Sequence, residues 1–387
     1  MRDTQSFLRY TVTEAEAQGG IDLSNLFDYL TWRDDLTLAQ SPFNEVDGAI
    51  LARVSYFPFD LISLSEESAI TLREAAAAFL SVPDMQQKVL FREDYPLMEA
   101  LAESPRFKDM KLLSYRNTFD TENEIQFSAV TLQLAEELYY VSFRGTDNTL
   151  IGWKENFNMG FDSPVPAQLL AVDYLRALAD RLPGQFLLGG HSKGGNLAVY
   201  AGAFCDEELQ SRVTEVYNFD GPGFDAKLIG QPGYDAVCGR VHTLIPQSSV
   251  VGMLLEHEEE YTIAHSTQMG LLQHDIYSWE VERDRFIHLE TVTDGSLFVD
   301  RTVKDWVAGM DYDRREAFVE AVYGVLNETN ARTLREMNEN RVGSTLAVLR
   351  SLKEMDEPTR KLVSEVILSL LRSAGEVFSR WARGGET

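Results

Sequence analysis

The chain has 387 residues and a formal net charge of −26, from 61 acidic and 35 basic side chains. Such an excess of acid repels nucleic acid and anionic lipid surfaces, which excludes the nucleic-acid-binding classes. Hydrophobic residues make up 44% of the sequence, enough for a large core, whereas two cysteines are too few for a disulfide framework.

Targeting and cofactor signals are also lacking. No apolar run approaches the length of a membrane span, and the first residues do not resemble a signal peptide. No spacing of His, Cys or carboxylate residues is typical of a metal site. We therefore expect a cytoplasmic protein that uses no metal and no cofactor.

The elements in chain order indicate an α/β architecture. After a polar arm, residues 1–40, strands are predicted at 111–117 and 124–133, paired antiparallel beside a buried strand, Leu138–Phe143. A helix begins at Pro166 and ends before Pro183, and a second buried strand leads to Gly190. This alternation of strand and helix is typical of a parallel sheet with right-handed crossovers. Further strands are predicted at 213–220, 240–246 and 261–265, the last of the sheet.

The pentapeptide from Gly190 to Gly194 carries the strongest signal for chemistry. It reads Gly-His-Ser-Lys-Gly and connects a buried strand directly to a helix, as in a nucleophile elbow. Its glycines let strand and helix pass closely, so that Ser192 is presented above the sheet edge. The alternative is a glycine-rich turn that permits close packing or binds an anion without reacting. We predict that Ser192 is a nucleophile.

Two backbone N–H groups are predicted to form an oxyanion hole. One belongs to Lys193, after the nucleophile, and the other to Thr146, in the Arg-Gly-Thr loop after Phe143. The alternative is a purely structural role, in which Arg144 forms an ion pair and Gly145 and Thr146 make a turn. Apolar residues after this loop are expected either to pack in the core or to cover a substrate pocket; they are Trp153, Phe157, Met159 and Phe161.

These segments resemble a known family. Val141-Ser-Phe-Arg-Gly-Thr146 and Gly190-His-Ser-Lys-Gly-Gly-Asn-Leu-Ala198 are similar to the corresponding motifs of class 3 lipases. The runs 245–255 and 273–279 resemble a bacterial branch of those lipases, the Mbeg-like family, over roughly residues 45–300. The resemblance implies an α/β-hydrolase fold with a mostly parallel central sheet, which residues 41–305 would form. It also implies esterase chemistry, but it does not indicate the substrate.

The general base must come late in the chain, because the triad of this fold runs serine, acid, histidine. His265 ends the last predicted strand, and His274 lies in the loop beyond it, where this fold places its base. We favour His274, which also matches the Gln-His-Asp of the resembling family. The other histidines are expected to be structural: His191 fills the elbow, His242 is buried in a strand, His257 adjoins solvated glutamates and His288 lies past the sheet.

The acid departs from the family pattern. Class 3 lipases have an aspartate after the strand that corresponds to 242–246, but here Gln247-Ser-Ser follows. Asp220, at the end of the preceding strand, is one candidate, and its alternative role is to bond its own turn. A third possibility is a dyad in which Ser248 or Ser249 holds the imidazole.

The final region, residues 306–387, is helical in pattern, and residues 362–381 carry an apolar stripe. We expect the stripe to pack on the hydrolase body, to join two copies of the chain or to contact a membrane surface. The resulting hypothesis is a serine carboxylesterase that acts on a small-molecule ester. The alternative is a non-catalytic binding module that recruits a partner through its C-terminal helices.

Overall fold

The protein is represented by a computed structural model, which describes residues 24–67, 69–120, 122, 125–146, 159, 163–225, 227–249, 251–252, 255, 257–268 and 270–292. The predicted C-terminal region, with its apolar stripe, lies outside the described residues, as do the first 23 residues of the predicted arm. The proposed oligomer and membrane contacts of the C-terminal region therefore stay predictions.

The described chain begins with a mostly helical part, continues with three consecutive strands and then, up to residue 246, places helices between successive strands. In order they are α1 (Leu26–Arg33), α2 (Glu45–Val54), β1 (Ala69–Thr71), α3 (Leu72–Leu80), α4 (Met85–Lys88), α5 (Asp94–Glu103), β2 (Lys111–Asp120), β3 (Ile125–Ala135), β4 (Leu138–Phe143), α6 (Pro166–Ala179), β5 (Gln185–His191), α7 (Lys193–Phe204), α8 (Glu207–Arg212), β6 (Val213–Phe219), α9 (Pro232–Cys238), β7 (Val241–Pro246), β8 (Tyr261–Ala264), β9 (Val281–Glu282), β10 (Arg285–Phe286) and β11 (His288–Leu289).

One large sheet organises these elements, in the order β1-β2-β3-β4-β5-β6-β7-β8-β11. The strands β1 to β4 pair antiparallel, and β4 to β8 pair parallel. The predicted antiparallel lead-in and parallel half are both confirmed, and with the elbow after β5 they form an α/β-hydrolase fold. The prediction that 261–265 is the last strand is wrong, because β11 adds an antiparallel strand at that edge.

Both faces of the central strands β4 and β5 are buried, which explains their apolar sequences. Tyr139, Val141 and Phe143 of β4 pack in a core with α6, α7 and α9. Tyr140, between them, faces the opposite core, which is built with α1, α2, α3 and α5. The helix α1, from the predicted arm, contributes Leu26, Tyr29 and Leu30 to this second core. Alternate side chains of one strand therefore hold two helical layers.

Two negative findings concern the described part of the chain. None of its helices combines the length and the apolar character that crossing a bilayer requires. Within the same residues, no group of three or more His, Cys, Asp or Glu side chains is arranged to hold a metal ion.

Candidate active site

Ser192 occupies a strained turn between β5 and α7. Its φ of 60° and ψ of −134° lie outside the regions that residues with a side chain normally adopt. The turn is fixed by two backbone bonds, from Ser192 N to Phe219 O at 2.9 Å and from Gly195 N to Ser192 O at 2.9 Å. Ser192 retains 8% of its accessible surface. The strand-to-helix context that the sequence predicts for this serine is present.

The two glycines of the pentapeptide are required sterically. A Cβ atom on Gly190 would collide with the backbone of Gly194, and one on Gly194 would collide with the carbonyl oxygen of Phe143. Both approaches are closer than 3.0 Å, a separation that real Cβ atoms essentially never show. The glycines therefore let β4, β5 and α7 meet at this point.

His274 and Asp220 are in direct contact. Nδ1 of His274 lies 2.7 Å from Oδ2 of Asp220, although 54 residues separate them along the chain. Asp220 is fully buried, whereas the His274 side chain keeps 27% of its accessible surface. The carboxylate can only accept at this contact, so Nδ1 of His274 carries the proton and Nε2 is left as the acceptor in the neutral ring.

Asp220 is held by the segment after β7. Its other oxygen, Oδ1, accepts from the hydroxyl of Ser249 and, at 3.1 Å, from the amide of Gly252. Asp220 itself has a φ of 51°, and its amide bonds to Leu244 O at 2.8 Å. Ser249, one of the two serines considered as a partner for the imidazole, thus contacts the carboxylate that bonds the imidazole. Sequence reasoning missed this support of the carboxylate.

His191 lies beside His274 at the elbow. The two ring centroids are 4.5 Å apart, and Nε2 of His191 lies 2.7 Å from the carbonyl oxygen of His274. Since His191 immediately precedes Ser192, this bond brings the backbone of His274 to the elbow. His191 is buried, as the prediction that it fills the elbow requires.

The remaining histidines each contact a carboxylate elsewhere. His265, the alternative base, bonds through Nδ1 to the buried Glu280. The predicted burial of His242 is wrong: its side chain is 47% exposed and bonds to Glu215 of β6. His257 adjoins the exposed Glu258, as predicted, but its ring bonds to the buried Glu259. His288 was predicted to lie past the sheet, but it belongs to β11, the edge strand.

The predicted oxyanion loop packs against the elbow. A Cβ atom on Gly145 would lie 3.1 Å from Cβ of Ser192, which places the Arg-Gly-Thr loop next to the serine. Lys193 opens α7, and the first N–H groups of a helix lack acceptors within the helix. Its buried ammonium group donates to the backbone and side-chain oxygens of Gln126 at 2.6 and 2.7 Å. These bonds tie the start of α7 to β3.

The apolar residues proposed as a lid are mostly outside the described residues. Among them, only Met159 is described, and it is buried in the core with Phe143 and Val165. Trp153, Phe157 and Phe161 lie outside the described residues, so their predicted roles in core packing or in covering a substrate pocket stay predictions.

Comparison with known proteins identifies one family. A family model described as Mbeg1-like matches residues 101–324, more than half of the chain and the whole stretch from β2 to beyond β11. Among curated proteins, none matches the sequence significantly.

Three solved structures are similar to the chain at low sequence identity. A mutant of MDLA from Penicillium cyclopium is 12% identical, with 70% of this chain and 88% of that one covered at a TM-score of 0.38. The Rhizomucor miehei lipase in a propeptide complex is 14% identical, with 72% and 78% covered at 0.37. The M37 lipase is 13% identical, with 56% and 71% covered at 0.35. The chemistry proposed below depends on the chain's own side chains.

Proposed function

We propose that the chain, a member of the Mbeg1-like family, is a serine hydrolase of carboxylic esters, because a buried carboxylate contacts the imidazole of His274, whose carbonyl oxygen bonds to His191, the residue before the strained Ser192. Ser192 is the nucleophile, His274 the general base and Asp220 the residue that orients the base. The N–H groups of Lys193 and Thr146 bind the oxyanion.

The reaction has two half-reactions. Oγ of Ser192 attacks the ester carbonyl carbon, while its proton passes to Nε2 of His274. The tetrahedral intermediate collapses, its bond to the alcohol oxygen breaks, and the alcohol leaves with the proton from His274. Water then loses a proton to the same imidazole and attacks the acyl carbon. The bond between that carbon and Oγ of Ser192 breaks, His274 returns the proton to Oγ, and a carboxylic acid leaves.

The contact between Asp220 and His274 carries the proposal. A buried carboxylate at 2.7 Å from Nδ1 keeps the neutral imidazole in the tautomer that accepts a proton at Nε2, and it stabilises the imidazolium that forms. The alternative, a non-catalytic binding module, had its main support in the missing carboxylate after β7. Asp220, which follows β6, places a carboxylate in contact with His274 instead, and this contact favours the enzyme.

Acyl chains are the proposed substrate group, since apolar residues follow Thr146 in the sequence. The test is hydrolysis of a panel of p-nitrophenyl esters, thioesters and anilides by the wild type, Ser192→Ala and Ser211→Ala. Ser211 is an exposed serine of α8 that only bonds its own helix, so it serves as the control. We expect ester cleavage that Ser192→Ala lowers by at least about 1,000-fold and Ser211→Ala leaves unchanged. A wild type inactive on the whole panel would favour the binding module.

A further inference from the structure

His191 is held in one tautomer by its two neighbours. Nε2 lies 2.7 Å from the carbonyl oxygen of His274, and a carbonyl oxygen only accepts, so Nε2 carries the proton. Burial, with the nearby His274 and Arg53, lowers the pKa of His191 well below its usual value, and the ring therefore stays neutral. Its Nδ1 is then an acceptor.

Tyr56 supplies the hydrogen for that acceptor. Its hydroxyl lies 3.2 Å from Nδ1 of His191 and 3.3 Å from the carbonyl oxygen of the same residue, which share the single hydrogen. The same hydroxyl packs against Gly145, where an added Cβ atom would lie 2.1 Å from it, so one oxygen touches both the elbow and the predicted oxyanion loop. Burial raises the pKa of Tyr56 to about 12, and the hydroxyl keeps its proton at neutral pH.

The Tyr56 ring is itself fixed in place. The guanidinium group of Arg53 stacks 4.0 Å from the ring centroid, and it is held by Asp94 at 2.6 Å in an ion pair without solvent access. Tyr277, three residues after His274, donates to the same Asp94 at 2.7 Å. The segment that carries His274 is therefore anchored at two points, through His191 and through Asp94.

Neutrality of His191 also suits the proposed reaction. Its ring lies 4.5 Å from that of His274, which becomes an imidazolium when it takes the proton of Ser192. A charged neighbour at this distance would oppose that proton transfer, whereas a neutral ring does not.

We propose that Tyr56 and His191 are positioning residues, which fix the segment of His274 and the loop of Gly145 in place relative to Ser192. The inference rests on the proposed function and goes beyond it, because neither side chain takes part in the transfer of the acyl group or of its protons. The Tyr56 hydroxyl is the shared link between the base and the oxyanion loop.

The test measures kcat and KM on a p-nitrophenyl ester for Tyr56→Phe, His191→Phe and His191→Gln. Tyr56→Phe should lower kcat/KM about tenfold, as expected for the loss of one buried hydrogen bond. His191→Phe removes the donor to His274 and should lower it about 100-fold, while the amide of His191→Gln restores that donor and most of the activity. Tyr174→Phe is the control, because its hydroxyl is equally buried but bonds Thr131 and Ser114, away from the elbow.

A readout beyond stability comes from the separate values of kcat and KM. When His274 is held less firmly on Asp220, the imidazolium that forms in the transition state loses stabilisation, so the loss should lie in kcat while KM stays nearly unchanged. The low-field proton resonance expected for Nδ1–H of His274 should weaken in the same variants.

The outcomes separate the two proposals. A wild type without esterase activity overturns the proposed function and this inference with it. If the wild type is active, and Tyr56→Phe and His191→Phe keep its kcat and its low-field resonance, the positioning role alone is overturned. If His191→Phe does not fold, Tyr56→Phe decides the question, because it removes a single oxygen and keeps the ring under Arg53.

Discussion

Replacement of Asp220 by asparagine probes the proposed triad at its most specific point. The carboxylate accepts three hydrogen bonds, from His274 on one oxygen and from Ser249 and Gly252 on the other. An asparagine has one acceptor end and one donor end. Because Ser249 and Gly252 both donate to the position of Oδ1, the amide oxygen should occupy that position. The new NH₂ group then takes the position of Oδ2 and faces His274.

The expected result follows from that orientation. Facing a donor, Nδ1 of His274 must become the acceptor, so the proton moves to Nε2 and the ring can no longer take the proton of Ser192. In serine triads this substitution lowers kcat about 10⁴-fold, which corresponds to about 5.5 kcal/mol of transition-state stabilisation. We expect a loss of this size in Asp220→Asn, with little change in KM.

Initial rates on a p-nitrophenyl ester, with thermal unfolding of each variant, provide the measurement. Asp225→Asn is the matched control, because Asp225 caps an exposed turn through an oxygen that asparagine retains. Asp220→Asn with kcat within about threefold of the wild type would refute the role given to the carboxylate. A folded variant with the large loss, beside an unchanged control, would support it.

Two further predictions concern folding. Gly194→Ala should lower the free energy of unfolding by about 3 kcal/mol, because the new Cβ atom would collide with the carbonyl oxygen of Phe143. Gly239→Ala, in open space at a φ of −68°, should change it by less than about 1 kcal/mol. Urea unfolding measures both, and equal stability of the two variants would contradict the steric account. Burial alone would raise the pKa of Glu259, but hydrogen bonds from His257, Tyr234 and Thr243 outweigh it and lower the pKa from 4.5 to about 2. The stabilisation from this low pKa is fully present above pH 4.5 and is lost as pH falls through 2. The free energy of unfolding of Glu259→Gln should therefore depend less on pH between 4.5 and 2 than that of the wild type. The same pH dependence in both proteins would exclude this contribution.

The fold could be predicted largely from local patterns. The elbow is encoded by Gly190 and Gly194 on either side of Ser192, because the collision that a Cβ would cause arises within the strand-to-helix turn and with the adjacent strand. The antiparallel pair β2 and β3 follows from two strand-forming segments that the short polar sequence Asp120-Thr-Glu-Asn joins. The added strand β11 has two residues, too few for any periodicity.

The site was less accessible to sequence reasoning, because its contacts join distant segments. His274 follows from chain order in the fold, but the choice of Asp220 required its left-handed turn, with a φ of 51°, and the donors after β7. His242 was predicted to be buried because it lies within a strand, yet its side chain is exposed and bonds to Glu215 of the neighbouring strand β6. Tyr56 gives no sequence signal, because its partner His191 is 135 residues away.

Labelling with a fluorophosphonate tests the central claim most directly, since it requires a serine made nucleophilic by its base. Peptide mapping by mass spectrometry should find one adduct per chain, on Ser192 of the wild type, and none on Ser192→Ala. The rate of labelling should fall in Asp220→Asn and stay unchanged in Asp225→Asn. A wild type that remains unlabelled, or an adduct on another serine, would contradict the account.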